Sequence, residues 1–236
     1  MDQFSMCGML INGTPLDVYC AAALLDYSIG DVDTESVTFQ GVNRSTVKLL
    51  KTKYGTRQIT ITIVFTGATR REASLNRSKL NAALFEQAEI FISDDGFFYT
   101  VICESRGAEE LVGISDDCAK IKSTYQLRGV RHDALVSETI AGGQSIFCRS
   151  SLALTDCRLS VTVGAASAAY TLGGAVFANV SKGDKLVFDG IGGIITKNGA
   201  NAAASVTWVN FPQLTPGLNK ITAADPVTVE YYPTFI

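Results

Sequence analysis

Histidine is almost missing from this chain: among 236 residues there is one, His132. Metal motifs built on two histidines, and most zinc sites, are therefore excluded. A Ser-His-Asp triad would have to use His132, which stands between Arg131 and Asp133 with no Gly-x-Ser-x-Gly elbow to accompany it. It reads instead as a surface histidine beside a linker. Charge is scarce too, at 18% of the chain against roughly 25% in ordinary globular proteins, while 47% is apolar. Such a chain either buries an unusually large core or keeps apolar surface for partners. The net charge of −3, with no basic block, argues against a sequence-independent nucleic-acid binder, whose affinity comes from neutralising phosphates. No apolar run approaches the roughly 20 residues of a membrane span. Met1 to Leu10 carries Asp2 and no Lys or Arg, so the basic start of a secretory signal is missing. The expectation is folding in a cytoplasm, without membrane insertion. No Cys-x-x-Cys pair occurs among Cys7, Cys20, Cys103, Cys118, Cys148 and Cys157. They read as small buried hydrophobes in a reducing compartment, rather than as disulfides or metal ligands.

What is present is organised around Arg57 to Cys103. Ile59, Ile61, Ile63 and Phe65 alternate with Gln58, Thr60, Thr62 and Val64, the period of a half-buried strand. Gly67 breaks it. Thr69, then Glu72 three residues on, has the spacing of a capping box, in which hydroxyl and carboxylate each take a free backbone N–H. The spacing predicts a helix over Arg70 to Gln87. Ala73, Leu80, Ala83 and Leu84 share its buried face, and Arg71, Asn81 and Glu86 stay wet. Ile90 to Ile92 resumes extended chain. Asp94-Asp95-Gly96 is a turn, and Phe97 to Cys103 returns as a strand.

Before this unit, Met9-Leu10-Ile11 and Asn12-Gly13 read as a hairpin, with Leu16 and Val18 on the returning strand and Pro15 marking an edge. Leu24 to Ile29 reads as extended, Asp31 to Thr34 as a loop and Val47 to Lys53 as either state. Arg44, Lys48, Lys51, Lys53 and Arg57 make this the most basic part of the chain. They form either a solvated loop face or an ordered interface with an acidic neighbouring surface. After the unit, Glu104 to Glu110 reads as loop. Cys118 to Arg131 alternates as a long strand with Ile121, Tyr125 and Leu127 on one face.

The style changes at Asp133 to Gln144, where Ala141-Gly142-Gly143 reads as flexible. Beyond it no helix period is evident. Nine short strands recur from Ile146 to Tyr232, separated by turns such as Lys182-Gly183-Asp184, Asn198-Gly199 and Pro216-Gly217. That pattern argues an all-β sandwich. The division is an α+β domain over 1–135 (a β-sheet or barrel with one main helix and a hairpin), a linker over 136–144 and a β-sandwich over 145–236.

Chemistry is thin. The acid pairs Asp94-Asp95, Glu109-Glu110 and Asp116-Asp117 are adjacent in sequence, and neighbours on a strand point to opposite faces, whereas glycosidase acids must converge. Gly190 to Gly193 lacks the Lys-Ser or Lys-Thr of a phosphate loop. Trp208, the only tryptophan, reads as a core or interface residue. No catalytic residue, metal or cofactor is expected.

Two stretches carry a resemblance. Thr207-Trp208-Val209-Asn210-Phe211-Pro212-Gln213-Leu214-Thr215-Pro216-Gly217-Leu218-Asn219, followed by the tail Val227-Thr228-Val229-Glu230-Tyr231-Tyr232-Pro233-Thr234-Phe235, resembles the C-terminal domain of phage distal tail proteins. Thr56 to Ile61, the Arg-rich helix start, the hairpin Ser93 to Tyr99 and the opening Ile11-Asn12-Gly13 are similar to that family's N-terminal domain. The resemblance implies a non-enzymatic virion protein with a galectin-like C-terminal sandwich. It implies a homohexameric ring, formed through the N-terminal domain, joining the tail tube protein to the tail tip or baseplate hub. The sandwich faces outward, and the channel passes DNA without specific binding. Assembly would take place in the bacterial cytoplasm. A closed ring needs two different patches per subunit, and Ile59–Phe65 and Ile121–Arg128 are candidate edges for pairing between copies. The alternative reading is a carbohydrate-binding or host-adhesion module, which needs Trp208, Tyr170 or Tyr232 exposed on a groove. A third is a sandwich-type hydrolase working through Asp94 and Asp95.

Overall fold

In the computed structural model residues 8–39, 48–115 and 118–236 are described. The chain divides after His132 into two compact units, with Ile236 grouping with the first.

In the first unit, β1 (Met9–Ile11) and β2 (Thr14–Pro15) form the opening hairpin. Asn12 and Gly13 sit at positive φ, 48° and 76°, as the tight two-residue turn requires. Leu16 and Val18 do not continue the strand. Leu16–Cys20 is a short helix, α1, ended by Ala21 in the left-handed region at φ 46°. Its alternating apolar residues mimic a strand, but Pro15 has already ended the ladder, and Leu16 and Cys20 are buried with Tyr19 packed partly against the core.

Next come β3 (Ala22–Phe39), β4 (Lys48–Gly67), α2 (Arg70–Ala83), β5 (Ala88–Ile92), β6 (Phe97–Arg106), β7 (Glu110–Ser115) and β8 (Cys118–His132). The antiparallel order is β2-β1-β5-β6-β8-β4-β3, with β7 also paired to β8. The inner face of β4 carries Ile59, Ile61, Ile63 and Phe65, all fully buried. Opposite them on β8 stand Leu127, Tyr125, Ser123 and Ile121. Each fully buried side chain of this size contributes about 1.5–3 kcal/mol. On the outer face the same strands are joined by Thr60 Oγ1 donating to Gln126 Oε1 at 2.7 Å and by a Thr62–Thr124 hydroxyl pair at 3.1 Å.

The capping box forms. Thr69 Oγ1 accepts from the Glu72 N–H at 3.2 Å, and the Glu72 carboxylate accepts from the Ala68 N–H at 2.8 Å. Ala73, Asn76, Leu80 and Leu84 face the sheet. The helix stops at Ala83 rather than Gln87. There Arg106 Nη2 donates to the Leu84 carbonyl at 3.0 Å, which satisfies an orphan acceptor of the last turn. Arg77 ties the β6–β7 turn to the helix through Ser123, Glu109 and the Gly107 carbonyl.

The second unit comprises β9 (Val136–Ile140), β10 (Ser145–Cys148), β11 (Thr155–Thr162), β12 (Ser167–Leu172), β13 (Ala175–Val180), β14 (Lys185–Asp189), β15 (Ile194–Lys197) and β16 (Ala200–Asn201). A 3-10 turn at Ala203–Ser205 precedes β17 (Val206–Thr207), β18 (Gln213–Leu214), β19 (Gly217–Lys220), β20 (Val227–Tyr231) and β21 (Thr234–Phe235). One sheet runs β16-β15-β14-β11-β20-β9 with β18 on β11. The second is β12-β13-β17, and β10 pairs β19. This is a β-sandwich, with one core shared by Leu159, Phe177, Phe188, Val229 and Tyr231. Residues 136–140 are strand β9, paired to β20 from Val136↔Tyr231 to Ile140↔Val227. The Thr-Pro-Gly-Leu-Asn turn is held by Asn219, whose Oδ1 accepts from the Thr215 N–H at 2.8 Å and whose Nδ2 donates to the Gly217 carbonyl at 2.8 Å.

Candidate assembly surface

A long two-stranded arm dominates one end of the first sheet. Polar residues 31–34 do not loop out; they continue β3, with register shifts between Ile29 and Val32 and between Val32 and Thr34. The acids there are held by bases. Arg128 Nη1 lies 3.4 Å from Asp33 and Arg57 Nη1 lies 4.0 Å from Asp31. Gly55 lets the strands approach, since a Cβ there would come within 3.1 Å of the Asp33 carbonyl. β4 is strand from Lys48 onward, with Glu35↔Lys53, Val37↔Lys51 and Phe39↔Lys48 in register. Its pairing with β8 begins only at Arg57↔Gly129. Lys48 to Thr56 therefore pairs with β3 alone among the described residues.

The five basic residues of the sequence reading separate. Arg44 lies outside the described residues. Lys48, Lys51 and Lys53 stand at register positions along the arm. Arg57 is 8% exposed and donates from Nη1 to the Gly30 carbonyl at 3.0 Å. It pins the β3 bulge from inside, and its buried Nε has no partner.

The expected edges for pairing between copies are not edges. Ile59–Phe65 lies between β3 and β8, and Ile121–Arg128 between β4 and the β6–β7 side. Both are mid-sheet, because each satisfies the other's backbone. The long edge is β3, which among the described residues pairs on one side only. Reading polar Asp31 to Thr34 as a loop hid it. A signal was available: Ala22–Phe39 has four acids and no Lys or Arg, while Lys48 to Arg57 has four bases and no acid.

Other candidates resolve into structure. His132 is not at the surface but 6% exposed, with Nε2 at 3.0 Å from Thr100 Oγ1 and the ring stacked on Phe98. Polar neighbours in sequence suggested exposure, yet the β6–β8 pairing covers it. Asp95 accepts from Tyr99 Oη at 2.5 Å within the hairpin; burial, then this bond, raises the Tyr99 phenol above its ordinary range. Glu109 is bound to Arg77 and Glu110 to Lys122, while Asp116 and Asp117 lie outside the described residues. Asp189, 1% exposed, accepts from the Ile191 and Gly192 N–H groups, both at 2.9 Å, and from Arg158 Nε at 2.8 Å. The glycine-rich turn thus wraps a carboxylate of its own.

Trp208 packs on Phe211, ring centroids 4.6 Å apart, and Tyr170 is 4% exposed, its hydroxyl donating to Asp225. Of the three aromatics, Trp208 and Tyr232 are half-buried and Tyr170 is buried. No group of metal-ligating residues gathers among the described residues, and no disulfide joins their cysteines. Burial pushes the Cys157 thiol up to about 12 and the Cys20 thiol up to about 11. No helix among the described residues is long and apolar enough to cross a membrane.

An α+β sheet unit is thus followed by a β-sandwich, and the polar clusters of both are spent on structure. Residues 158–235 match the family model of the siphovirus-type tail component, C-terminal domain. The Dit protein of phage SPP1, a paradigm of the hub adsorption apparatus in phages infecting Gram-positive hosts, has the same fold. Its TM-score is 0.68 at 16% identity, over 98% of this chain and 100% of that one. A chain of the phage p2 baseplate in its activated conformation with Sr gives TM-score 0.58 at 8% identity, over 97% and 98%. The corresponding Ca structure gives 0.54 at 7%, over 89% and 90%. No curated protein matches the chain in sequence. The resemblance to phage distal tail proteins is borne out, in a tail-component domain at the C-terminus and in the fold of the chain as a whole.

Proposed function

We propose that this chain is a non-enzymatic building block of the phage tail, forming a homohexameric ring at the distal end. The ring joins the tail tube protein to the tail tip or baseplate hub protein and passes DNA without specific contacts. Its parts are made and assembled in the bacterial host's cytoplasm, and the unit ending near residue 135 supplies the ring. The observation that carries this reading is the agreement, over nearly the full length of both chains, with the Dit fold, together with the tail-component domain at 158–235. Charge is taken up within the chain by pairs such as Arg77–Glu109 and Arg158–Asp189, which suits a protein whose work is done by interfaces.

The test is the mass of the purified protein in solution, with negative-stain images. A six-membered annulus is the expected result. A monomer at every concentration, alone and with the tube and hub proteins, would refute the reading.

A further inference from the structure

We propose that the β1–β2 turn is a covalent self-modification site: Asn12 converts, through a cyclic imide formed with Gly13, into aspartate and isoaspartate. The chain has two Asn-Gly turns, Asn12-Gly13 and Asn198-Gly199, and asparagine is a thermolabile residue. Both turns are exposed, with positive φ of 48° and 76° at the first and 54° and 80° at the second. Glycine has no Cβ to shield its nitrogen, and nothing lies within 4 Å of where a Cβ would stand at Gly13 or Gly199. By sequence and backbone the two are equal. Their side-chain amides separate them. Asn198 is held at both ends: Oδ1 accepts from the Lys185 N–H at 2.8 Å, and Nδ2 donates to Asp184 Oδ1 at 2.9 Å. Asp184 is itself fixed by Lys197 at 3.0 Å and by the Ser181 N–H at 2.7 Å. Asn12 is held at one end, where Oδ1 accepts from the Glu89 N–H at 2.9 Å. Its Nδ2 has no partner among the described residues.

In the step itself the Gly13 nitrogen gives up its proton and bonds to Asn12 Cγ. The Cγ–Nδ2 bond breaks, and Nδ2 leaves with that proton as ammonia. No oxidant or reductant is needed. Water then opens the ring, giving aspartate when it adds at the side-chain carbonyl and isoaspartate when it adds at the main-chain carbonyl. The Glu89 N–H on Oδ1 draws electron density from Cγ, and the leaving nitrogen is free to depart. At Asn198 the same departure must first break a bond to a carboxylate, one of the stronger kinds. The products act on the sheet. The Asn12 N–H donates to the Glu89 carbonyl at 2.8 Å, so Asn12 stands opposite Glu89, next after the pair Ile11↔Ile90. A carboxylate at position 12 therefore sets like charges across the ladder, which is destabilising. Isoaspartate also adds one carbon to the main chain of a two-residue turn, against the register Ile11↔Thr14. Both products loosen the opening hairpin from β5.

The experiment holds the full folded chain in warm, mildly alkaline buffer and follows its peptides by mass spectrometry, where conversion adds about 1 Da. Asn12 is expected to convert at least about tenfold faster than Asn198, the factor that one extra bond to a carboxylate supplies. Exposed Asn210, followed by Phe211, serves as the baseline. In urea the two Asn-Gly sites converge, and Asp184→Ala brings Asn198 toward the rate of Asn12. Asn12→Gln abolishes conversion at that position, since its longer side chain would need a larger ring. Asn12→Asp reproduces the product and speeds hydrogen exchange in Met9–Ile11 and Ile90 to Ile92. Asn198 converting as fast as Asn12 in the folded chain, or Asn12 no faster than Asn210, would overturn the assignment. A gap that persists in urea would overturn the role of the side-chain bonds. Unchanged exchange in Asn12→Asp would overturn the loosening of the hairpin.

Discussion

Asp189→Ala tests whether the buried carboxylate, rather than the turn sequence, holds the second sheet corner together. The side chain accepts two backbone N–H groups of the Gly190–Gly193 turn and the Arg158 guanidinium. Bonds to an ionised group contribute about 1.5–3 kcal/mol each, but the three do not add in full. Arg158 is 42% exposed in its side chain and keeps Glu230 at 3.4 Å, and the exposed turn amides regain water. Breaking a buried pair costs about 3–5 kcal/mol, and partial rehydration puts this case near the lower bound, about 3 kcal/mol. Asp189→Asn keeps one acceptor for the two amides but turns an N–H₂ toward a guanidinium, so about half that loss is expected.

The chain carries its own reporter. Trp208 is the only tryptophan and lies in the second unit beside Phe188 and Phe211, so its fluorescence in urea follows that unit. The midpoint is expected to fall with the slope unchanged. For a unit of this size a loss of about 3 kcal/mol lowers the thermal midpoint by roughly 12–20 °C. Less than about 1 kcal/mol lost by the Ala variant, or an Asn variant equal to wild type, would refute the argument that this carboxylate carries the corner.

Arg57→Ala removes the bond to the Gly30 carbonyl and is expected to cost the first unit about 1.5–3 kcal/mol; hydrogen exchange would rise along β3 and the paired part of β4 even at protein concentrations where no assembly occurs. Asp184 has its pKa lowered from 3.8 to about 2, first by the Ser181 N–H and then by Asn198 and Lys197. A depressed acid adds stability that is present above 3.8 and is lost as pH falls through about 2; Asp184→Asn should flatten the stability–pH curve in that window. With burial pushing the Cys157 thiol up to about 12 and the Cys20 thiol up to about 11, alkylation at neutral pH should reach half-buried Cys103 and Cys118 before these two, and Cys157 only through unfolding.

Local signals made the central unit legible. The β4 alternation, the Thr69–Glu72 box and the Asp94-Asp95-Gly96 turn each act within a few residues, and each forms as its sequence implies. The sandwich strands were legible for the same reason, since turns punctuate them. What failed depended on partners distant in sequence. Asp31 to Thr34 is strand because β4, distant in sequence, pairs with it, and Arg128 stands beside Asp33. His132 is buried only because β6 lies beside it. In the candidate surface, the basic cluster is legible as a run in sequence, while the acids of β3 are spread through a stretch with loop composition. Arg57 belonged to the fold and not to the cluster.

A weakly charged sequence leaves two explanations open, a large core or apolar surface, and the residues on strands let one weigh them. The cores are full: Phe65, Tyr125, Phe177 and Phe188 are among the largest side chains and are almost wholly buried. Yet β7 leaves Leu111, Val112 and Ile114 between 49% and 62% exposed, and β10 and β19 set Phe147 opposite Leu218 with 60% and 75% exposed. A strand of a monomer would ordinarily alternate polar residues at such positions. Covering any one of these side chains would contribute up to about 1.5–3 kcal/mol before the cost of association. The missing charge is therefore accounted for at the surface as well as inside.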